Sequence, residues 1–270
     1  MRLIFVIVTL ILTDHLMGQR GINANFGTKS LSMGGISATL VENDAIFNNF
    51  ANIVDSEHFG VIVSSERRFS LNELTSTSFG LHLPTQKIGH FGVNLSSYGF
   101  ESYREQKMSL LYARKLHKRI AISANLDYNL LRISEHGSTQ FISFGIGFSG
   151  HISSKLKYGL YIFTPEKIEI ENNTEVPGYF KFGLSNIFSD KLTGYAEIEK
   201  VIDETINVKI GVDFSLLPQF KIYTGFNTNP GQISLGISYL MKNQLRIDGG
   251  FIYDTLLGVT PGVSILYSKN

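Results

Sequence analysis

Histidine is the side chain here with the widest chemical range, because imidazole binds metals and transfers protons near neutral pH. His82 and His90 fall on adjacent segments across a short turn, where their rings can face each other. The chain has no cysteine, and the two histidines have no carboxylate nearby to complete a ligand set. The pair favours a polar lining over a metal site, so we predict no metal and no cofactor.

Ser149 and His151 raise the question of nucleophilic catalysis. The two residues share one parity of an alternating segment, so their side chains point to the same face. That face is rich in glycine, and the sequence offers no evident third group to orient the imidazole. We therefore predict that the protein is not an enzyme.

The elements that carry these residues are alternating segments, which follow one another from about residue 59 to the C-terminus. In residues 120–130 the apolar side chains occupy one parity and the polar ones the other, and residues 142–151 and 206–216 do the same. A strand points successive side chains to opposite faces, so each segment has one apolar and one polar face. Alternating segments of roughly ten residues match the length that a tilted strand needs to cross a bilayer.

Composition agrees with a membrane location. The chain is 43% hydrophobic and only 17% charged, and its net charge is +1. Lysine and arginine are scattered along the sequence, which argues against a nucleic-acid partner. The absence of cysteine is compatible with an oxidising compartment.

The N-terminus has the pattern of a secretory signal peptide. Arg2 is followed by an apolar stretch over residues 3–12 and by small residues, which predicts a signal peptide at residues 1–18 with cleavage after Gly18. About ten apolar residues are too few to span the bilayer as a helix. Export followed by amphipathic strands predicts the outer membrane of a Gram-negative cell, where a closed barrel satisfies its own backbone.

The alternating segments number about fourteen, and every second connection between them is short. Longer connections are predicted at residues 66–73, 99–105, 132–138 and 164–178, whereas residues 228–231 are an exception. We therefore predict an all-β fold, a transmembrane antiparallel up-and-down β-barrel in residues 58–270. Residues 192–200 fit least well, because Glu197 and Glu199 share a parity with Tyr195. Either the charges face the lumen there, or the parity slips by one residue.

Residues 19–57 break the alternating pattern. Gly34 and Gly35 permit a positive φ or a close backbone approach, and residues 44–48 fit a short helix with an acidic start. A segment of this kind ahead of a barrel predicts a plug, or hatch, inside the lumen. A simple periplasmic tail is the alternative.

Residues 27–53 resemble the N-terminal motif of the FadL-type outer-membrane transporters and the related PorV/PorQ-type barrels, and residues 257–265 resemble their last hairpin. The matching positions are Lys29, Ser30, Leu31, Met33, Gly34, Gly35, Asp44, Ala45, Asn49, Ala51 and Ile53. Phe50 stands where the family has proline, and Asn52 where it has glycine. The resemblance implies a fourteen-stranded barrel with a hatch. The hatch residues that we single out are Gly34, Gly35, Asp44, Asn49, Phe50 and Ala51.

The inward parity of the barrel carries polar side chains, which hydrate or cross-link the interior. The predicted lumen-facing polar residues are Asn125, Asp127, Asn129, Lys209, Asp213, Arg246 and Asp248.

Two functions follow from the resemblance. The altered hatch motif and the short loops favour a non-enzymatic anchor or partner-binding component of the PorV/PorQ type, which would contact proteins of a type IX secretion system. The alternative is a passive FadL-like transporter of hydrophobic small molecules. Outer-membrane lipid is an expected partner in both cases.

Overall fold

The structure is a computed structural model that describes residues 27–85, 87–135, 137–164, 168–170, 174–242 and 244–269. The predicted signal peptide and residues 19–26 of the predicted plug lie outside these ranges. No helix in the described ranges is both long and apolar enough to cross a membrane.

Fourteen of the described strands form one closed antiparallel barrel in which neighbours in sequence are neighbours in space. The first seven are β1 (Gly60–Arg67), β2 (Thr75–Thr85), β3 (Gly89–Phe100), β4 (Tyr103–His117), β5 (Ile120–Ile133), β6 (Gly137–His151) and β7 (Leu156–Phe163). The other seven are β10 (Tyr179–Ser189), β11 (Leu192–Val201), β12 (Asn207–Leu217), β13 (Phe220–Thr228), β14 (Gly231–Met241), β15 (Leu245–Asp254) and β16 (Gly258–Ser268). Pairing of β1 with β16, from Gly60↔Ser268 to Glu66↔Gly262, closes the ring.

The remaining elements are short. Helix α1 covers Thr28–Ser32, and 3₁₀ turns cover Glu42–Phe47, Phe50–Asp55, Arg68–Ser70 and Asn72–Leu74. Strands β8 (Ile168–Ile170) and β9 (Thr174–Val176) pair with each other in the connection between β7 and β10.

Alternation along each strand separates an apolar outer face from a polar inner face. On β5, Leu126 is 52% exposed and Asp127 only 2%; on β12, Ile210 is 53% exposed and Lys209 only 2%. Outward rows of leucine, isoleucine and phenylalanine recur around the ring, which is the surface that lipid tails would contact. The predicted fold class and the count of fourteen strands are confirmed.

The poorly patterned strand β11 keeps its parity. Tyr195, Glu197 and Glu199 all face the interior, whereas Ile198 faces outward. Of the two alternatives, the charges face the lumen, and the slip by one residue does not occur at these residues.

Two ends of the barrel can be told apart by their connections. At the short-turn end lie the connections β2–β3, β4–β5, β6–β7, β10–β11, β12–β13 and β14–β15; the opposite end, which carries residues 164–178, is the loop end. The predicted long loops at residues 99–105 and 132–138 are wrong, because β3 and β4 are separated only by residues 101–102, and β5 and β6 by 134–136. Backbone pairing continues beyond the apolar outer rows, where the exposed Arg104 and Arg132 occupy the outward parity and the pattern of apolar outer faces is lost.

Residues 27–55, here called the inner segment, pack against the inward side chains of the barrel wall. Its first residues lie beside Ser264, to which the Thr28 amide donates over 2.9 Å. Ser264 pairs with Asp248, close to the turn between β14 and β15. Asp55, at the other end of the segment, contacts Lys157 next to the β6–β7 turn. Both ends of the inner segment therefore lie towards the short-turn end.

The two faces of β5 give a direct test of orientation. We expect Leu126→Arg to lower the free energy of unfolding by roughly 2–4 kcal/mol, because the charge would enter lipid near the midplane. Asn125→Arg should cost far less, since Asn125 faces the lumen and its amide already contacts the Asp127 carboxylate at 2.8 Å. Urea unfolding in lipid vesicles measures both values, and equal costs would contradict the assignment of the two faces.

Candidate functional site: the inner segment and the lumen wall

The inner segment turns sharply at Gly34 and Gly35, which have φ angles of +69° and +79°. A Cβ on Gly34 would lie 2.8 Å from the backbone oxygen of Phe226. The Gly34 amide donates to Ser234 Oγ at 2.7 Å, and Lys209 Nζ donates to the Gly35 oxygen at 2.9 Å. Glycine is required here both for its conformation and for the close approach to β13.

Glu197 joins the wall to the inner segment through three hydrogen bonds. Its Oε2 accepts hydrogen bonds from the amides of Ser37 and Ala38, both at 2.7 Å, and its Oε1 accepts one from Ser37 Oγ at 2.9 Å. Lys209 Nζ lies 3.0 Å from Glu197 and 2.9 Å from Glu199. A fully buried carboxylate is thus compensated by one ammonium and by backbone donors.

Sequence reasoning singled out Lys209 but not Glu197. The signal was present, because Glu197 pairs directly across the strands with Lys209 and both lie on the inward parity. Opposite charges at a cross-strand position stabilise each other, so the weak strand pattern and the lysine belong to one cluster.

A second charged cluster joins the hatch motif to β15. Arg246 Nη2 lies 2.6 Å from Asp44 and 2.9 Å from Asp248. All three side chains are buried. Three residues that the sequence placed in separate sets, one in the hatch and two in the lumen, therefore meet at one point.

A third cluster forms around Asp213. Lys29 Nζ, from α1, lies 3.2 Å from its carboxylate, and Lys221 Nζ lies 3.6 Å away. The Lys29 ammonium also sits 5.4 Å from the centre of the Tyr223 ring. This arrangement places the start of the inner segment against β12 and β13.

Asn49 and its neighbours attach the second half of the inner segment. The Asn49 amide nitrogen lies 3.0 Å from the oxygens of Ala38 and Phe148 and 3.2 Å from that of Leu160, so it joins the two halves of the segment to β6 and β7. Its Oδ1 accepts from the amide of Ala51 at 3.2 Å, which caps the following 3₁₀ turn.

Phe50 is 2% exposed and belongs to an apolar cluster formed by both the inner segment and the wall. Members of this cluster include Ile46, Phe47, Ile53, Ile62 and Leu111. The Phe50 ring approaches that of His82 edge-on, with 6.2 Å between centroids.

The remaining predicted lumen residues form a separate row on β5. Asn125 and Asp127 contact each other, and Asn129 Nδ2 donates to Ser143 Oγ at 2.8 Å. Tyr161 donates its hydroxyl to Asn125 Oδ1 at 2.9 Å. In the described contacts these residues cross-link wall strands, whereas Lys209, Asp213 and Arg246 bind or border the inner segment.

The residues considered for chemistry have structural partners. His82 Nε2 and His90 Nδ1 lie 3.0 Å apart, so the expected facing of the two rings is found. Among the described residues no group of three or more histidine, aspartate or glutamate side chains is arranged to hold a metal. Ser149 Oγ donates to the backbone oxygen of Ala51 at 2.9 Å, and His151 lies 3.8 Å from Asp55.

Asp55 closes the inner segment at the short-turn end. Its carboxylate lies 3.1 Å from Lys157 Nζ and 3.3 Å from Lys115 Nζ. Burial by itself raises the pKa of Asp55, but Lys157 and Lys115 outweigh this effect and hold that pKa below its ordinary value. The carboxylate is therefore charged, and paired, at neutral pH.

The inner segment lies between two cavities. The larger, about 700 Å³, lies towards the short-turn end and is lined by charged residues including Lys29, Asp55, Lys157, Asp213 and Lys221. The smaller, about 30 Å³, lies on its other side, between Phe47 and Phe50 and the wall residues Asp127, Tyr161 and Phe163. The large cavity is thus lined by both charged and apolar side chains, and the smaller one has room for about a single water molecule.

Comparisons with known proteins support the fold. No protein-family model matches the sequence, and no curated protein matches it. Among solved structures, the chain is similar to the CymD monoaromatic hydrocarbon channel, with a TM-score of 0.67 and 13% identity over 92% of this chain and 98% of that one. The Ralstonia pickettii toluene transporter TbuX gives 0.67 and 13% over 92% and 99%. A Pseudomonas aeruginosa FadL homologue gives 0.63 and 11% over 90% and 97%.

At these identities the likeness shows the fold alone. The chain has the closed fourteen-stranded barrel of the FadL-like outer-membrane channels over nearly its whole described length. The resemblance to FadL-type barrels is thus supported for the barrel, whereas a likeness to the PorV/PorQ type is not shown by these structures.

Replacing the central carboxylate tests the first cluster. We expect Glu197→Gln to destabilise the seating of the inner segment by roughly 1–3 kcal/mol, because the Ser37 and Ala38 amides would lose a charged acceptor. Limited proteolysis of residues 27–55 in the folded barrel measures this as faster cleavage. Asp190→Asn, an exposed acid in the β10–β11 turn, is the control. Equal cleavage rates in the two variants would contradict the assignment.

Acidification tests the Asp55 contact. Because the pKa of Asp55 is lowered in the folded state, the stabilisation that the Asp55 ion pairs provide is present above the unfolded pKa of about 3.9. It is lost as pH falls from about 3.9 through the lower folded pKa. With no native cysteine, Glu57→Cys can carry one environment-sensitive dye. We expect its emission to be constant between about pH 5 and 8 and to change below about pH 4. In the labelled Glu57→Cys protein, the additional substitution Asp55→Asn should produce the changed emission already at neutral pH. A double variant whose emission still changed only below about pH 4 would contradict the assignment.

Proposed function

We propose that the protein is an outer-membrane barrel that allows passive passage of hydrophobic small molecules, with the inner segment as its plug. The observation that carries the proposal is the likeness over nearly the whole chain to the CymD channel for monoaromatic hydrocarbons and to the toluene transporter TbuX. A small apolar molecule of the monoaromatic hydrocarbon class is the corresponding ligand. Both neighbours are transport proteins, which agrees with a non-enzymatic role.

The outer surface supports the proposed location. Exposed apolar side chains cover the outward parity of the barrel strands, and the closed ring leaves no free sheet edge between β1 and β16. The inner segment leads into β1 at the short-turn end, so this end is the periplasmic side of an exported chain. Signal-peptide cleavage after Gly18 stays a prediction.

Apolar clusters on both sides of the small cavity support a route. Tyr161, Phe163 and Val176 form a cluster near the loop end, with Phe141 and Tyr179 packed against it. Across the small cavity lies the apolar cluster that contains Phe50. An apolar solute can be held at either cluster by burial and ring contacts. Because the cavity between them is only about 30 Å³, passage requires the second half of the inner segment to move.

The transporter hypothesis thus replaces the anchor hypothesis as the main proposal. None of the structures named above is of the PorV/PorQ type, and nothing in the described lumen favours a secretion-system partner. The large cavity at the short-turn end is compatible with transport, since a solute leaving the apolar clusters needs an open space on the periplasmic side.

Phe50→Pro tests the role of the inner segment as a plug. Proline suits the first position of a helical turn, so the main loss is the ring that closes the apolar cluster. We expect faster uptake of the apolar dye N-phenyl-1-naphthylamine by cells that carry the variant in their outer membrane.

The matched control is Phe50→Leu, which keeps an apolar group and should keep uptake close to that of the unmodified protein. Both variants must first be recovered with outer membranes in a compact form that shifts on heating. A folded Phe50→Pro barrel with unchanged uptake would contradict the plug and, with it, the proposed route.

A further inference from the structure

Four basic residues on two neighbouring hairpins lie on the outer rim of the short-turn end. It consists of Arg114 on β4, Lys118 and Arg119 in the β4–β5 turn, and Lys155 in the β6–β7 turn, and it is here called the basic corner. The two hairpins are neighbours, since the amide of His151 donates to the Arg119 oxygen at 3.0 Å. All four basic side chains are exposed.

The basic corner carries uncompensated positive charge. In the part of the chain that the structure describes, no carboxylate lies within ion-pair distance of any of its four side chains. The neighbouring acid, Asp55, faces the lumen and forms ion pairs with Lys115 and Lys157. Alternation along β4 thus sends Lys115 to the inner segment and Arg114 to the outside.

The surroundings of the basic corner are apolar and aromatic. Arg114 shares the outward face of β4 with Leu110 and Tyr112, and it pairs across the strands with Ile122. Ile120 and Ile152 are 43% and 55% exposed beside the two turns. Long basic side chains next to apolar rows and tyrosine are typical of the boundary between hydrocarbon and headgroups, because their stems lie on apolar surface while their charges reach water.

We propose that the basic corner binds the phosphate of anionic phospholipid headgroups in the leaflet at the short-turn end. This inference rests on the proposed membrane location but not on transport. A soluble acidic protein is the other partner that the charge would suit. Lipid is favoured because Arg114 lies on the outward, apolar face of the barrel and not at the mouth of the lumen.

The experiment compares barrels in nanodiscs of phosphatidylcholine with barrels in nanodiscs that also contain phosphatidylglycerol. The readout is the temperature at which the compact form on a gel is lost. We expect phosphatidylglycerol to raise this temperature for the unmodified protein, and added salt to reduce the rise, since exposed charges are screened. The variant Arg114→Gln with Arg119→Gln should lose most of the rise.

Two further variants are controls. Arg104→Gln with Arg132→Gln removes two exposed arginines that pair across the same strands, β4 and β5, at the loop end, and should keep the rise. Arg114→Lys with Arg119→Lys keeps the charge and should keep it as well. This last variant separates loss of charge from loss of arginine packing.

The outcomes are distinct. An equal rise in the glutamine variant and the unmodified protein overturns the inference. So does a rise produced equally by inorganic phosphate, which would show free anion binding, or by polyglutamate in place of the lipid, which would indicate an acidic protein partner. A chain that inserts into both nanodiscs with equal stability overturns this inference alone, whereas failure to insert into either overturns the proposed location too.

Discussion

The closed ring of backbone hydrogen bonds is the constraint on which the rest of the structure depends. In hydrocarbon an unpaired amide or carbonyl costs several kcal/mol, so a sheet can remain there only if its first and last strands meet. Pairing of β1 with β16 meets this requirement and fixes which side chains of each strand point outward and which point inward. Every second side chain must then face lipid, and the others must face a confined interior.

The confined interior explains the inner segment. Charged wall residues such as Glu197, Arg246 and Asp213 are buried and need partners. The inner segment supplies them through backbone amides at Ser37 and Ala38 and through the side chains of Asp44 and Lys29. Residues 27–44 of the segment are held mainly by these polar contacts, whereas residues 45–55 combine apolar packing around Phe50 with the Asn49 and Asp55 contacts. Movement of residues 45–55 therefore leaves the buried ion pairs of Lys29 and Asp44 in place.

Alternation predicted the strands well because the two faces of each strand have different environments, so apolar and polar residues alternate along it with a period of two. The alternating residues 120–130 and 142–151 lie wholly within β5 and β6. The extensions of β4 and β5 at the loop end were missed, since arginines replace apolar residues on the outward parity there. The pairing of β8 with β9 was missed because strands of three residues are too short to show a period of two.

The clusters were harder to predict than the strands. Asp44 and Arg246 lie 202 positions apart, and only the closed ring brings them within 2.6 Å. The basic corner illustrates the same limit, because its residues look scattered along the sequence. Every second turn of an up-and-down barrel lies on the same rim. Basic residues in the β4–β5 and β6–β7 turns therefore come together through the topology of the barrel and not through their spacing in the sequence.

The placement of both ends of the inner segment at the short-turn end has a consequence for assembly. Because residues 27 and 55 both lie towards the short-turn end, the described segment does not thread the ring and can be withdrawn without opening it. The wall can therefore pair and close first, with the segment still outside, and the segment can be inserted afterwards. Wall formation and filling of the lumen are then separable events in the biogenesis of the protein, each able to fail without the other.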